Sequence, residues 1–431
     1  MKKIILLICV LILGFGGYII YDTYFKNKVM PKIEIEEEVF NVTKYYIYGT
    51  HLNIEGNISL NDDLSLVLYN GEFIYIDLIT DNDKYIISNY VNDGLYLDDI
   101  ELGKYYLFVS SKYLDDNGNE QYKYYALNNT TDYNETVYYS MSNYNKKIII
   151  NSETEYPTMM MNVITNNDDD IYDIVIDPGH GGMDGGASSG GYSERDFTMD
   201  VALKVKEKLN DLGVKVKLTR EEDSLTRNDL LPEYGVHGRA VISSEAHAKY
   251  LFSIHMNSNT YSSVNGLEVY TAKNINYDFA KVIVENIINK TGLSYSLNRV
   301  NKMYNSIYTR NFTSSEIQGS IEGYDKKGIN AYEITTNSNY YYIIRETGGI
   351  ITGAYVDDRN ENLEKNSIPG NPSYNSNIGT EAYLLELGYI TNPQDRENMI
   401  NNIPINTITN VFFFITTSLT LSIILKDLYH N

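Results

Sequence analysis

Asp177-Pro178-Gly179-His180-Gly181-Gly182 follows the apolar run Ile174-Val175-Ile176 and sets a histidine on a glycine-rich turn at the end of a short buried strand. Strand C-termini are where open α/β sheets gather their sites, because the chain leaves the sheet there and presents side chains in a crevice. Three more residues hold positions of that kind. Glu194 stands where a helix should begin, His255 ends the strand-like run Tyr250–Ile254, and Glu386 ends Ala382–Leu385. Two imidazoles and a carboxylate suit Zn2+ among the common metals, and a catalytic zinc takes three protein ligands with one position left open. His180, Glu194 and His255 are therefore the candidate ligands of one zinc ion. Glu386 is the candidate general base, taking a proton from water and returning it to a leaving nitrogen.

Singly, each of these residues has an ordinary explanation as a solvated histidine or a capping or salt-bridging glutamate. His51, His237, His247 and His430 lack a comparable glycine turn or strand end, so the conjunction carries the inference. Cys9 is the only cysteine, which excludes disulfides and thiolate metal sites and leaves His, Asp and Glu as ligands. A formal charge of -22 with no basic patch excludes nucleic acid as a partner.

The elements that must position these residues fall in several blocks. Met1-Lys2-Lys3 and the apolar run Ile4–Tyr21 read as a signal-anchor within residues 1–29, with the rest of the chain outside a bacterial membrane on the cell-wall side. Residues 34–153 carry about seven short strands between Asn-Gly and Asp-Asn-Gly turns, the pattern of an all-β, sandwich-like domain. Residues 154–170, with Asn166-Asn167-Asp168-Asp169-Asp170, read as a linker. From 171 to 431 strands and helices alternate: a helix at Asp196–Asn210, a strand at Val214–Leu218, a helix at Arg239–Lys249, a strand at Leu267–Tyr270 and a helix at Tyr277–Ile288. That order predicts an α/β catalytic domain with a mostly parallel sheet covered by helices. Residues of about 295–380 break the rhythm and are expected to be an insertion over the active-site face, with strand-like pieces at Ala331–Thr335 and Tyr340–Ile344. The uncharged run Ile408–Leu425 is expected to be a packed core helix.

Taken in order, Asp177-Pro-Gly-His-Gly-Gly, Asp184-Gly-Gly-Ala187, Glu194, Leu218-Thr-Arg220, Ser253-Ile-His-Met-Asn257, Gly266-Leu-Glu268 and Leu385-Glu-Leu-Gly-Tyr-Ile-Thr-Asn392 resemble the zinc-dependent N-acetylmuramoyl-L-alanine amidases of the type 3 family. The resemblance runs from Ile174 to Leu425. It implies that His180, Glu194 and His255 bind zinc, that Glu386 is catalytic, and that the substrate is peptidoglycan, cut at the amide between N-acetylmuramic acid and L-alanine of the stem peptide. Ala246-His247-Ala248 stands where the family usually has an asparagine, a departure that touches no proposed ligand. Asn257 and Arg345 are candidate substrate contacts, the latter in a charged turn Arg345-Glu346-Thr347-Gly348-Gly349, while Arg220, Arg239 and Glu268 are expected in structural ion pairs beneath the site. Two other readings use the same residues: a zinc peptidase of the stem, and an inactive wall-binding or regulatory protein.

Overall fold

The computed structural model describes residues 33–60, 62–154, 156–182, 184–221, 239–326, 334–354 and 376–401. The apolar segment of residues 1–29 and the run Ile408–Leu425 lie outside them, and no described helix is long and apolar enough to cross a membrane.

The first half is β throughout. Its main strands are β1 (Ile35–Tyr48), β2 (His51–Asn57), β3 (Leu64–Tyr69), β4 (Phe73–Asp77), β5 (Gly103–Leu114), β6 (Glu120–Asn129), β7 (Glu135–Tyr139), β8 (Lys146–Asn151) and β9 (Met160–Thr165). They belong to one hydrogen-bonded sheet of 13 strands, with the path β7-β8-β9-β5-β6-β1-β2 and the β3–β4 hairpin joined to β5. β5 holds the sheet together. It pairs with β9 through Gly103–Tyr106 and with β6 through Phe108–Leu114, so one strand serves two runs of the sheet. Alternate residues of β1, β3 and β5, such as Val42, Leu66, Leu68, Leu107 and Val109, turn into a common core. The expected linker is shorter than 154–170, because β9 takes part of it: Met160–Thr165 alternates inward and outward and pairs with β8 along its whole length.

The second half is built on seven further strands: β10 (Ile174–Pro178), β11 (Val216–Leu218), β12 (Tyr250–Asn257), β13 (Glu268–Thr271), β14 (Lys302–Tyr304), β15 (Ile307–Thr309) and, after the two-residue β16 (Ile378–Gly379), β17 (Glu381–Tyr389). The order is β11-β10-β12-β17-β13-β15-β14. β11, β10, β12 and β17 are parallel, but β13 runs antiparallel to β17 and β14 antiparallel to β15. β13 and β15 are again parallel, so four of the six neighbouring pairs are parallel as expected, and the two antiparallel pairs make the sheet mixed toward an edge that comes partly from residues expected to be insertion. Helix α1 (Glu194–Asp211) covers β10 and β12 with Phe197, Val201, Val205 and Leu209, a face at helical spacing. Helix α2 (Arg239–Glu245) stands by β10, α3 (Asp278–Thr291) ends at Gly292 with φ 74°, and α4 (Ser314–Asp325) follows β15. Tyr340–Ile344, expected as strand, instead enters helix α5 (Tyr342–Thr347), which packs on α2 and β17. Ala331–Glu333, the start of the other strand-like piece, lie outside the described residues.

The two halves are stitched, not merely tethered. β16 adds to the first sheet, parallel to β1 at Ile47 and Tyr48, immediately before the chain enters β17 of the second. Tyr48 and Met141 belong to the core cluster of the second half. Polar groups cross the boundary too: Asn92 Nδ2 donates to Glu381 (2.7 Å), the Ser142 amide to Asp173 (2.6 Å) and Asn377 Nδ2 to Thr136 (2.6 Å). Lys249 is sealed between Asp173 and Asp98; burial lowers its ammonium to about 8 against the pull of those two carboxylates.

Candidate active site

His180 follows the end of β10 and Glu194 opens α1, whereas His255 and Glu386, expected at strand ends, lie within β12 and β17, which run on to Asn257 and Tyr389. His180 closes the turn after β10 with φ 60°, a left-handed conformation that is uncommon outside glycine and stored at a cost of about 1–3 kcal/mol. Two guanidinium groups hold that turn by its carbonyls. Arg239 donates to Pro178 O (2.7 Å) and to His180 O, and Arg220 to Pro178 O (3.0 Å) and Gly179 O (3.1 Å). Arg239 also pairs with Asp177 (2.6 Å), whose other oxygen accepts from Ser253 of β12 (2.6 Å). Glycine is required at Gly179, where a Cβ would lie 2.4 Å from His255 Cε1, and at Gly186, where it would lie 2.6 Å from His180 and 2.7 Å from Glu194.

Glu194 is the first residue of α1, behind the N-cap Ser193, where unpaired helix N–H groups favour a carboxylate. Its carboxylate is oriented by backbone donors, Oε2 by the Ala187 amide and Oε1 by the Met256 amide, each at 3.0 Å. Oε2 lies 3.0 Å from His180 Nε2 and Oε1 3.0 Å from His255 Nδ1. One ligand atom from each of His180, Glu194 and His255 falls within 4.8 Å of the others. Asp184 Oδ2 lies 2.8 Å from His180 Nδ1, the arrangement that turns the other ring nitrogen toward a metal. Burial opposes charge on this group, yet Glu194 and Asp184 raise His180 to about 9, while His180 and His255 hold Glu194 far below the usual carboxylate range. Two imidazole nitrogens and an anionic oxygen, pre-aimed at one point, fit a divalent metal.

Glu386 lies on β17 between two register partners, His255 of β12 and Glu268 of β13. Its Oε2 is closed off from solvent and has no hydrogen-bond partner among the described residues. Burial pushes its carboxyl up to about 7, with the negative charges of Glu194 and Glu268 adding to the shift and the two imidazoles opposing it.

Residues 174–410, more than half the chain, match the family described as N-acetylmuramoyl-L-alanine amidase. The chain belongs to that family. Among relatives, N-acetylmuramoyl-L-alanine amidase LytC of Bacillus subtilis (strain 168) is 38% identical over 97 residues, 22% of this chain and 18% of that protein. The probable cell wall amidase LytH of Staphylococcus epidermidis is 28% identical over 232 residues, 53% of this chain and 51% of that protein. The chain thus spans about half or less of the curated relatives it first matches. The solved structure of N-acetylmuramoyl-L-alanine amidase AmiC2 of Nostoc punctiforme aligns over 57% of this chain and 94% of its own, with 22% identity and a TM-score of 0.34.

Within this amidase fold the four principal residues converge, whereas Arg345 is taken up by the fold itself. Arg345 is turned inward on α5, its Nε on Glu346 (2.7 Å) and its Nη1 on Asn339 O (2.8 Å) and Tyr340 O (3.1 Å), so it braces the fold. The segment read as a charged turn is a buried helix end. Asn257, two residues beyond His255 on β12, donates to Glu268 Oε2 at 3.3 Å. Arg239 forms the expected ion pair, Arg220 binds carbonyls, and Glu268 takes the hydroxyls of Tyr270 (2.6 Å), Ser296 (2.6 Å) and Tyr389 (2.8 Å). Asp184 was visible in its motif, yet its role as the partner of His180 follows only from the fold. Tyr341, which feels the charge of Glu386, had no sequence signal beyond its tyrosine neighbours.

Proposed function

We propose that the chain hydrolyses the amide joining the lactyl group of N-acetylmuramic acid to L-alanine in peptidoglycan, with one Zn2+ held by His180, Glu194 and His255 and with Glu386 as general base. Membership of the amidase family supports the reaction. The observation that carries the residue roles is Glu386 Oε2, a solvent-sealed carboxylate oxygen without a partner among the described residues, beside three convergent ligand atoms. A partnerless buried oxygen costs about 1–3 kcal/mol, and a proton to accept is what offsets that cost.

Zinc at this point supplies Lewis acidity that polarises a carbonyl and makes water acidic. The protein's own part is placement and proton transfer. Glu386, poised near neutral pH, accepts a proton from water as its oxygen adds to the amide carbon. It then returns that proton to the L-alanine nitrogen, so a carboxylic acid and a free amine result. Asp184 keeps the His180 ring in one tautomer, and the Ala187 and Met256 amides keep the Glu194 carboxylate from turning.

The signal-anchor of residues 1–29 belongs to the same reading, placing the catalytic half on the wall side of a bacterial membrane; its support is the basic start and the apolar run. The β region would then hold the enzyme at the wall. Digestion of purified peptidoglycan with identification of the new ends, with and without a chelator, tests the proposal. A free L-alanine amine that disappears with chelation is expected. A new end inside the stem would make the protein a peptidase, and no product would make it a binding protein.

A further inference from the structure

The first sheet carries aromatic rings on the side that its core does not use. Val67 of β3 is the register partner of both Tyr75 on β4 and Phe108 on β5, and Ser110 of β5 is that of Tyr124 on β6, so alternate residues of these four strands share one face. Phe73 and Tyr75 enter it from β4, Tyr122 and Tyr124 from β6. The hydroxyls of Tyr75 and Tyr124 meet at 2.8 Å across the two strands between them. Neighbouring strands lie about 4.8 Å apart, so side chains that close such a gap lie along the sheet and not upright on it. The four rings form a patch of two by two. Neighbouring centres are 5.0–6.5 Å apart and their planes 21–33° apart, an offset, near-parallel arrangement. Val67, Tyr69 and Phe108 form a small buried cluster on the same face, while Phe73, Tyr75 and Tyr122 are 38–39% exposed. One side of the ring layer is covered and the other is open.

The patch is also uncharged. The charged residues that these strands place on this face are Asp77, Lys104, Lys112 and Glu120; they flank the rings, Lys112 pairs with Glu120 at 2.5 Å, and the four signs cancel. In a chain of formal charge -22 this is a neutral window. Anionic lipid and other polyanions are repelled by the rest of the surface, and a cationic partner finds stronger attraction elsewhere on it. The window fits a polymer without charge. The glycan of peptidoglycan is one where its lactyl groups are amide-linked to the stems. Its β-linked N-acetylhexosamine rings hold their substituents equatorially and show flat faces of C–H bonds, which the negative face of an aromatic ring attracts as it does the edge of another ring.

We infer that the four-ring face of β4 and β6 is a binding surface for the glycan strand of peptidoglycan, with sugars stacked on Phe73, Tyr75 and Tyr122. The choice of polymer rests on the amidase reading. The stacking chemistry does not, and the experiment separates the two.

The full-length protein is titrated calorimetrically with a β-linked N-acetylglucosamine hexasaccharide, which has no lactyl amide to cut. Phe73→Leu and Tyr122→Leu keep an apolar cover over the small cluster but remove a ring face, and each is expected to weaken binding about tenfold. Both positions are partly exposed, so the fold is expected to persist, as circular dichroism checks. Tyr75→Phe keeps its ring and gives up only the hydroxyl pair, and is expected to bind as the wild type does. His180→Ala is expected to bind equally well, because the face shares no residue with the amidase site. No binding by the wild type overturns the inference, and so does equal binding by both leucine variants. Binding lost in His180→Ala would put the sugar in the catalytic half and overturn it as well. Sedimentation equilibrium and flotation with phosphatidylglycerol vesicles are run on the same proteins. A wild-type dimer that Tyr122→Leu dissolves, or vesicle binding that it abolishes, would assign the face to a second copy or to a membrane and likewise overturn the inference. Cleavage of purified peptidoglycan reports separately on the amidase reading. A protein that binds the hexasaccharide through these rings yet cleaves nothing keeps the surface and loses that reading.

Discussion

Two glutamates on β17, five positions apart, show what separates a supporting carboxylate from one proposed to react. Glu381 opens the strand at the seam between the halves, and Glu386 lies toward its other end beside the metal-ligand group. Burial pushes both carboxyls up to about 7. Acidity therefore does not distinguish them, and neither does residue type nor strand. Hydrogen bonding does. Glu381 Oε1 receives Asn92 Nδ2 at 2.7 Å and the Tyr383 hydroxyl, two donors that both lower its pKa against burial. Glu386 keeps an oxygen with no donor among the described residues. The first carboxylate is consumed by structure, and the second is left able to take a proton.

The largest effect that can break this contrast comes from the metal side. His180→Ala or His255→Ala removes one of three ligands, and the expected result is loss of retained metal, measured by elemental analysis, together with loss of peptidoglycan cleavage. Full activity in a metal-free preparation would remove the metal from the scheme. Next, Glu386→Gln is expected to lower turnover by about 10²-fold or more while metal content stays at the wild-type level. If metal left together with activity, Glu386 would be a ligand and the contrast would be one of coordination instead.

Glu381→Ala should act in the opposite way. It strands the Asn92 amide and the Tyr383 hydroxyl at a buried seam, so the unfolding free energy should fall by about 2–4 kcal/mol while metal content and turnover of the folded enzyme stay unchanged. Equal losses of turnover from both glutamate substitutions would mean that the seam reaches the site.

The smallest effect is one of pH. A carboxyl raised from 4.5 to about 7 on folding binds more protons in the native state than in the unfolded one across that window. Glu381 thus contributes stability that is fully present below about 4.5 and is lost as pH rises through about 7. Asp98, raised to about 6 by burial, adds in the same direction. Denaturant midpoints between pH 4.5 and 7.5 should fall with rising pH, less steeply in Glu381→Gln; an unchanged slope in that variant would assign the dependence to other groups.

The candidate catalytic residues were legible because their positions follow local rules. A glycine turn after an apolar run and a carboxylate at a helix start are visible within a few residues of sequence. The scaffold was legible in outline and blurred where distant segments decide. Tyr340–Ile344 has the aromatic and β-branched residues of a strand, but α2 and β17 offer it a helix-shaped site. Arg345 reads as part of a charged turn because glycines follow the Arg345-Glu346 pair, and only the fold shows Glu346 and two carbonyls closing around it. β9 is largely apolar (Met160, Met161, Val163, Ile164), but the polar run Asn166–Asp170 directly after it draws the whole stretch toward a linker, and only the pairing with β5 and β8 shows the strand. The edge of the sheet could not be read as antiparallel, because strand direction depends on which neighbour a strand meets.

The join of β16 to β1 sets a limit on when this protein can become itself. Ile47 donates its amide to Asn377, so two residues 330 positions apart must meet before the first sheet is complete, and β17, central to the second sheet, follows directly after that join. Contacts of such sequence separation form slowly because a long loop must close first. His180, Glu194 and His255 all precede it in the chain, whereas Glu386 arrives with the last described strand of the sheet. Synthesis therefore delivers the proposed metal ligands well before the proposed proton acceptor, and on that reading a partly made or partly refolded chain would carry the ligand group without its base.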